Sequence, residues 1–173
     1  MKILIAGLIA ICAFSTHAQI NGYAKVTSIA GTVLSVSNVN QTSHSFIVGD
    51  GVVIMQMQDD VIGTNTADNA NFGDLSAINN AGFYEIAYIT AIDGNSTVGF
   101  SSATPATIAV DGLAHSYSTV ANSSLQLITF RQMAAGNYTT TANITALAWD
   151  GNVGGVVAMY VPGTLTLNHN ITA

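Results

Sequence analysis

Ten stretches of this chain alternate apolar and polar residues with a period of two, and outside the first residues almost nothing repeats with the 3.6-residue period of a helix. They are "YAKVTSIAG", "TVLSVSNV", "SFIVGD", "GVVIMQMQ", "YEIAYITAI", "TVGFSSAT", "SLQLITFRQM", "NITALAW", "GVVAMYV" and "TLTLNHNI", separated by turns rich in Gly, Asn and Asp. Successive side chains of a strand point to opposite faces, so each run has one apolar face that it can bury only by pairing with others. The chain is therefore expected to be all-β, an antiparallel sandwich or barrel-like body. Ala30-Gly31 and Asp93-Gly94-Asn95 are the hairpin candidates, because Gly, Asn and Asp take up positive φ at little cost where strands reverse.

The first residues, "MKILIAGLIAICAFSTHAQ", hold one lysine, an apolar run from Ile3 to Phe14, and Thr16 and Ala18 ahead of Gln19. This pattern reads as a secretory signal, residues 1–18, cleaved after Ala18. The run is shorter than the roughly 20 apolar residues that cross a bilayer, so no membrane insertion is expected after cleavage. Cys12, the only cysteine, leaves with the signal, and burial and hydrogen bonding must then hold the fold without disulfides. Residues 19–173 are about the length of a single domain.

Only 7% of the residues are charged, against 49% apolar, so solubility rests on Ser, Thr, Asn and Gly. Beyond the signal, Lys25 and Arg131 face nine acidic residues. Two cations cannot build a phosphate-binding surface, which excludes nucleic acid as a partner and argues against an anionic membrane.

No catalytic set is apparent. A hydrolase elbow of the Gly-x-Ser-x-Gly type is missing, and His44, His115 and His169 do not fall at metal-ligand spacing. Asp59, Asp60, Asp68 and Asp74, with Asp50 nearby, are the calcium candidates, set in or beside the Asn- and Asp-rich stretch 59–81. Counted from Asp68, however, the third and fifth positions of a calcium loop are Ala70 and Phe72, and turn capping explains these aspartates equally well. Glu85 with an aspartate has the residue types of a glycosidase pair, but it lies within a strand between Tyr84 and Ile86. Trp149 and the tyrosines Tyr84, Tyr88, Tyr117, Tyr138 and Tyr160 are of the kind that stack on sugar rings; core packing is the expected role of Trp149. In "GVVIMQMQ", one strand phase turns Val53, Met55 and Met57 inward and Gln56 and Gln58 outward, whereas the other buries glutamine, which then needs partners.

The segments "HSFIVGDGVVIMQMQDDVIGTNT", "INNAGFYEIAYITAI", "NSSLQLITF", "NYTTTANITALAWDGNVGGVVAMYV" and "GTLTLNHNITA" resemble, in order, the N-terminal region of large secreted, adhesin-like surface proteins of the Bacteroidota. Gly49-Asp50, Gln56-Met57-Gln58, Tyr84-Glu85 and Trp149-Asp150-Gly151 with Gly154-Gly155 carry most of the likeness. The resemblance implies export by the type IX secretion route and a cell-surface or secreted location. It also implies that residues 20–150 form a cap and 151–173 the first rungs of a β-solenoid. Such a stack needs an end piece over its first rung. The apolar residues Val157, Met159, Val161, Leu165, Leu167 and Ile171, broken by Pro162-Gly163 and Asn168-His169-Asn170, fit two short strands and the start of a third. The expected function is structural support or attachment, without catalysis and without a cofactor. The expected partner is a glycan or cell-surface ligand, further rungs or a second copy. The competing readings are the non-catalytic part of a polysaccharide-active β-helix enzyme and a carbohydrate-binding module.

Overall fold

The computed structural model describes residues 17–59, 67–70 and 79–173. Among them there is no helix. Six strands, β2 (Tyr23–Ala30), β3 (Val33–Asn40), β4 (Gly51–Gln58), β5 (Tyr84–Ile92), β6 (Thr107–Val110) and β7 (Ser124–Thr129), close into an antiparallel barrel in the order β2-β3-β6-β5-β4-β7. Closure leaves these six without a free edge. The interior is aliphatic, built from Leu34, Val52, Ile54, Ala87, Ile89, Ile92, Ile108, Leu125 and Leu127.

The β2–β3 hairpin turns at Gly31, whose φ is +63°. Asp93 and Gly94 also turn with positive φ, but β6 begins only at Thr107. The Asp93 carboxylate ties the two ends of that excursion together by accepting the N–H groups of Ala106 and Thr107. Two expected strands are absent. "SFIVGD" and "TVGFSSAT" meet instead through Val48 N–H to Phe100 O (2.9 Å) and Gly99 N–H to Val48 O (2.9 Å), laying Phe46 and Val48 on the core as loop residues.

The phase of β4 is the one that buries glutamine. Val52, Ile54 and Gln56 point inward, while Val53, Met55 and Met57 face out and are half-buried. Gln56 is satisfied on both ends of its amide: Oε1 accepts Ser118 N–H at 2.8 Å, and Nε2 donates to the carbonyls of Gln58, Ser118 and Ser124. A register shift after Gln56 turns Gln58 outward as well, so the two glutamines part company.

β7 is buried along its whole length. Its outward side chains Gln126 and Ile128 lie under residues 147–158, which fold back over the barrel and form a second apolar cluster around Tyr23, Ile128, Val153 and Ala158. Side-chain amides fasten this cover. Gln126 donates to Gly154 O (3.0 Å) and accepts from Gly154 N–H (2.9 Å), Asn21 does the same for Ala158, and the Tyr23 hydroxyl donates to Val156 O at 2.6 Å.

Beyond the barrel the pairing becomes parallel. β8 (Arg131–Gln132) pairs with β11 (Met159–Tyr160), β9 (Tyr138–Thr139) with β12 (Leu165–Thr166), and β10 (Asn143–Thr145) with β13 (Ile171–Thr172). Partners stand 28, 27 and 27 residues apart, Arg131 with Met159, Tyr138 with Leu165 and Ile144 with Ile171. Two successive passes of the chain therefore stack strand on strand. Side chains repeat the register: Asn137 Oδ1 accepts Thr164 N–H, Asn143 Oδ1 accepts Asn170 N–H, and Thr140 Oγ1 accepts the N–H groups of Asn168 and His169. β1 (His17–Ala18) flanks β10 on the side away from β13. Cleavage after Ala18 would remove that strand.

Candidate functional site

Of the calcium candidates singled out in the sequence, Asp50, Asp59 and Asp68 lie among the described residues. Asp60 and Asp74 lie outside the described residues, Asp68 is exposed, and Asp59 is buried. Asp59 accepts the Asn80 N–H (3.0 Å) and the Ser123 hydroxyl (2.9 Å). Burial opposes its charge, but these hydrogen bonds outweigh it and hold its carboxyl below the usual range. Among the described residues no three His, Cys, Asp or Glu side chains gather as a metal site. Glu85 Oε2 accepts Ala114 N–H at 2.6 Å, while its Oε1 is buried without a hydrogen-bond partner among the described residues. The nearby Tyr117 hydroxyl is pushed up by burial and then by the Glu85 carboxylate.

The histidines have separate surroundings. His115 stacks on Phe83 with ring centroids 5.0 Å apart, and His169 Nδ1 meets Thr140 O at 2.9 Å. His44 is half-buried, and its Nδ1 has no partner among the described residues. Burial and the charge of Arg131 push it down, against the opposing pull of Asp50. Trp149 is 40% exposed, contrary to the core role expected for it, because it sits at a turn. There Asp150 Oδ1 caps the N–H groups of Asn152 and Val153.

These shifts carry a sign. A histidine pushed down is neutral in the folded state over a window in which the unfolded chain is protonated. Its contribution is present above about pH 6.5 and fades as pH falls through its folded value. Asp59, Asp93 and Asp150 are all held below 3.8, so their contribution is present above that value and is lost on further acidification. Stability should thus fall shallowly below about pH 6.5 and steeply below about pH 3.8. Urea midpoints at pH 7.5, 5.5 and 3 measure both steps; a midpoint unchanged from 7.5 to 5.5 refutes the histidine part.

Two surface features remain. One is the outer edge of the second pass, where β11, β12 and β13 have no partner on their far side among the described residues, and Leu165, Leu167 (57%) and Ile171 are exposed. The other is a cleft of about 560 Å³ where the barrel meets the stacked strands, lined by His44, Gly49, Asp50, Gly51, Tyr88, Phe130, Arg131, Gln132 and Tyr160. The edge falls where the sequence places the first rungs, with further rungs or a second copy as their expected partner, whereas the cleft has no counterpart in the sequence reading. The stacking had a visible signal, since "NIT" at 143–145 returns at 170–172 with Gly136 and Gly163 at the same spacing. The cleft had none, because its residues come from separate stretches of the chain.

Comparison with known proteins finds no matching family model, no matching curated protein and no matching solved structure.

Proposed function

We propose that this chain is an exported, non-enzymatic structural and attachment module: the N-terminal cap of an adhesin-like β-solenoid of the Bacteroidota surface type. The observation that carries the reading is the parallel pairing at a spacing of 27 to 28 residues on three separate short sheets. A solenoid has an internal period of this kind, each turn burying its strands only against its neighbours. The barrel, which has no free edge among its six strands, is suited to serve as the end piece. The far side of β11–β13 offers backbone groups that are unpaired among the described residues, and exposed leucines, to a next rung or to a partner.

The test is to fuse a second copy of residues 146–172 after Ala173 and follow amide exchange. A rung that stacks should slow exchange across 159–172 by at least tenfold and raise the urea midpoint. Unchanged exchange with a disordered extension would overturn the cap reading, and turnover of a polysaccharide by the purified chain would overturn its non-enzymatic part.

A further inference from the structure

We propose that the cleft between the barrel and the stacked strands binds a neutral, hydroxyl-rich saccharide. Its volume of about 560 Å³ falls within the range of roughly 300–1,000 Å³ typical of small-ligand sites. Three aromatic rings form one wall. Phe130 and Tyr160 pack with centroids 5.9 Å apart at 41°, and a side chain on Gly51 would meet Phe130 at 3.3 Å and Tyr88 at 3.7 Å, so both rings crowd over that glycine. Tyr88 and Tyr160 are nonetheless 56% and 45% exposed. Exposed aromatic residues of this kind suit the C–H face of a pyranose ring, which is apolar while its rim is polar.

The polar groups supply the rest. Among the described residues neither the Arg131 guanidinium nor the Asp50 carboxylate has a hydrogen-bonded or ion-paired partner, although both line the cleft and both act electrostatically on His44. An unengaged donor and an unengaged acceptor match a hydroxyl, which both gives and takes a hydrogen bond. A ligand with only one of these capacities would leave the other group unused. Gln132 adds an acceptor, since its Nε2 is bonded to Ala134 O at 3.1 Å and its Oε1 is free of any such bond among the described residues. The formal charge of −6, with only three basic residues in the whole chain, disfavours an anionic polymer and so selects a neutral sugar.

The wall also extends beyond the cleft. Tyr84, Ile86 and Tyr88 point outward along β5 at two-residue intervals, with Tyr84 64% exposed. At about 3.3 Å per residue the two tyrosines stand roughly 13 Å apart, a span that fits an oligosaccharide rather than a single sugar.

This deepens the attachment half of the proposed function and fails separately from it, because the fusion experiment reports on stacking and the following one on the cleft. The full chain is titrated calorimetrically with neutral β-1,4 and α-1,4 linked hexasaccharides of glucose and mannose, and with hexagalacturonate. One neutral hexasaccharide should bind at one site per chain. Arg131→Ala and Tyr160→Ala should each weaken it at least tenfold, and Tyr84→Ala by a smaller factor, with urea midpoints unchanged. Binding of hexagalacturonate in preference, binding unaffected by both cleft substitutions, or no binding of any neutral hexasaccharide at millimolar concentration overturns the proposal. Should either variant lose its fold, Arg131→Gln and Tyr160→Phe replace it, and the same tenfold criterion applies to Arg131→Gln alone.

Discussion

Replacing Gly154 by alanine should cost about 3 kcal/mol or more, well above what most surface substitutions cost. The residue sits at φ +105°, a conformation that strains any L side chain, and the added Cβ would lie 2.6 Å from the carbonyl oxygens of both Leu147 and Ala148. Those oxygens belong to backbone and cannot swing aside. The same residue gives its N–H and C=O to Gln126, so displacing it unpairs two backbone groups and a buried amide together. Gly151, at φ +91° with nothing within 4 Å of the added atom, isolates the conformational part, and Gly151→Ala should cost about 1–2 kcal/mol. Urea unfolding of both variants provides the comparison. Equal losses would show that the cover over β7 is too pliable to act as a fixed joint between barrel and stack.

The second large effect is expected at Gln56. Substitution by leucine preserves size but leaves the Ser118 N–H and three carbonyls without their shared partner, at a cost of about 2–3 kcal/mol. Gln58→Leu, two residues along and exposed, should stay within about 0.5 kcal/mol. Denaturant midpoints for the pair decide the matter, and a cost at Gln58 equal to that at Gln56 would contradict the burial of one glutamine and not the other.

These two glutamines also show where reading the sequence stops. Strands β2, β3, β4, β5 and β7 were visible because alternation with period two is a local property of the chain. The phase of β4 was not, since both of its faces carry apolar residues, Val52 and Ile54 on one and Val53 and Met55 on the other. What breaks the tie is a cover from residues 147–158, almost a hundred positions away, which makes the outer face half-buried too. "SFIVGD" and "TVGFSSAT" alternate well enough to be strands, yet pair with each other as loops because the barrel is already closed by six others. Trp149 was misplaced for a related reason: its size favours a core, but the turn capped by Asp150 sets its position. The cleft depends on bringing Asp50, Tyr88, Arg131 and Tyr160 together, and no local pattern encodes that.

Parallel pairing at a fixed offset turns the chain into a ruler. Neighbouring strands in a sheet lie about 4.8 Å apart, so the 27 or 28 residues between the paired strands carry the chain forward by that one step. Asn143 and Asn170, or Ile144 and Ile171, thereby stand one above the other. A residue type that recurs at this interval in sequence becomes a straight line on the surface, with the graduation of the line fixed by the backbone and its chemistry left free to the side chain.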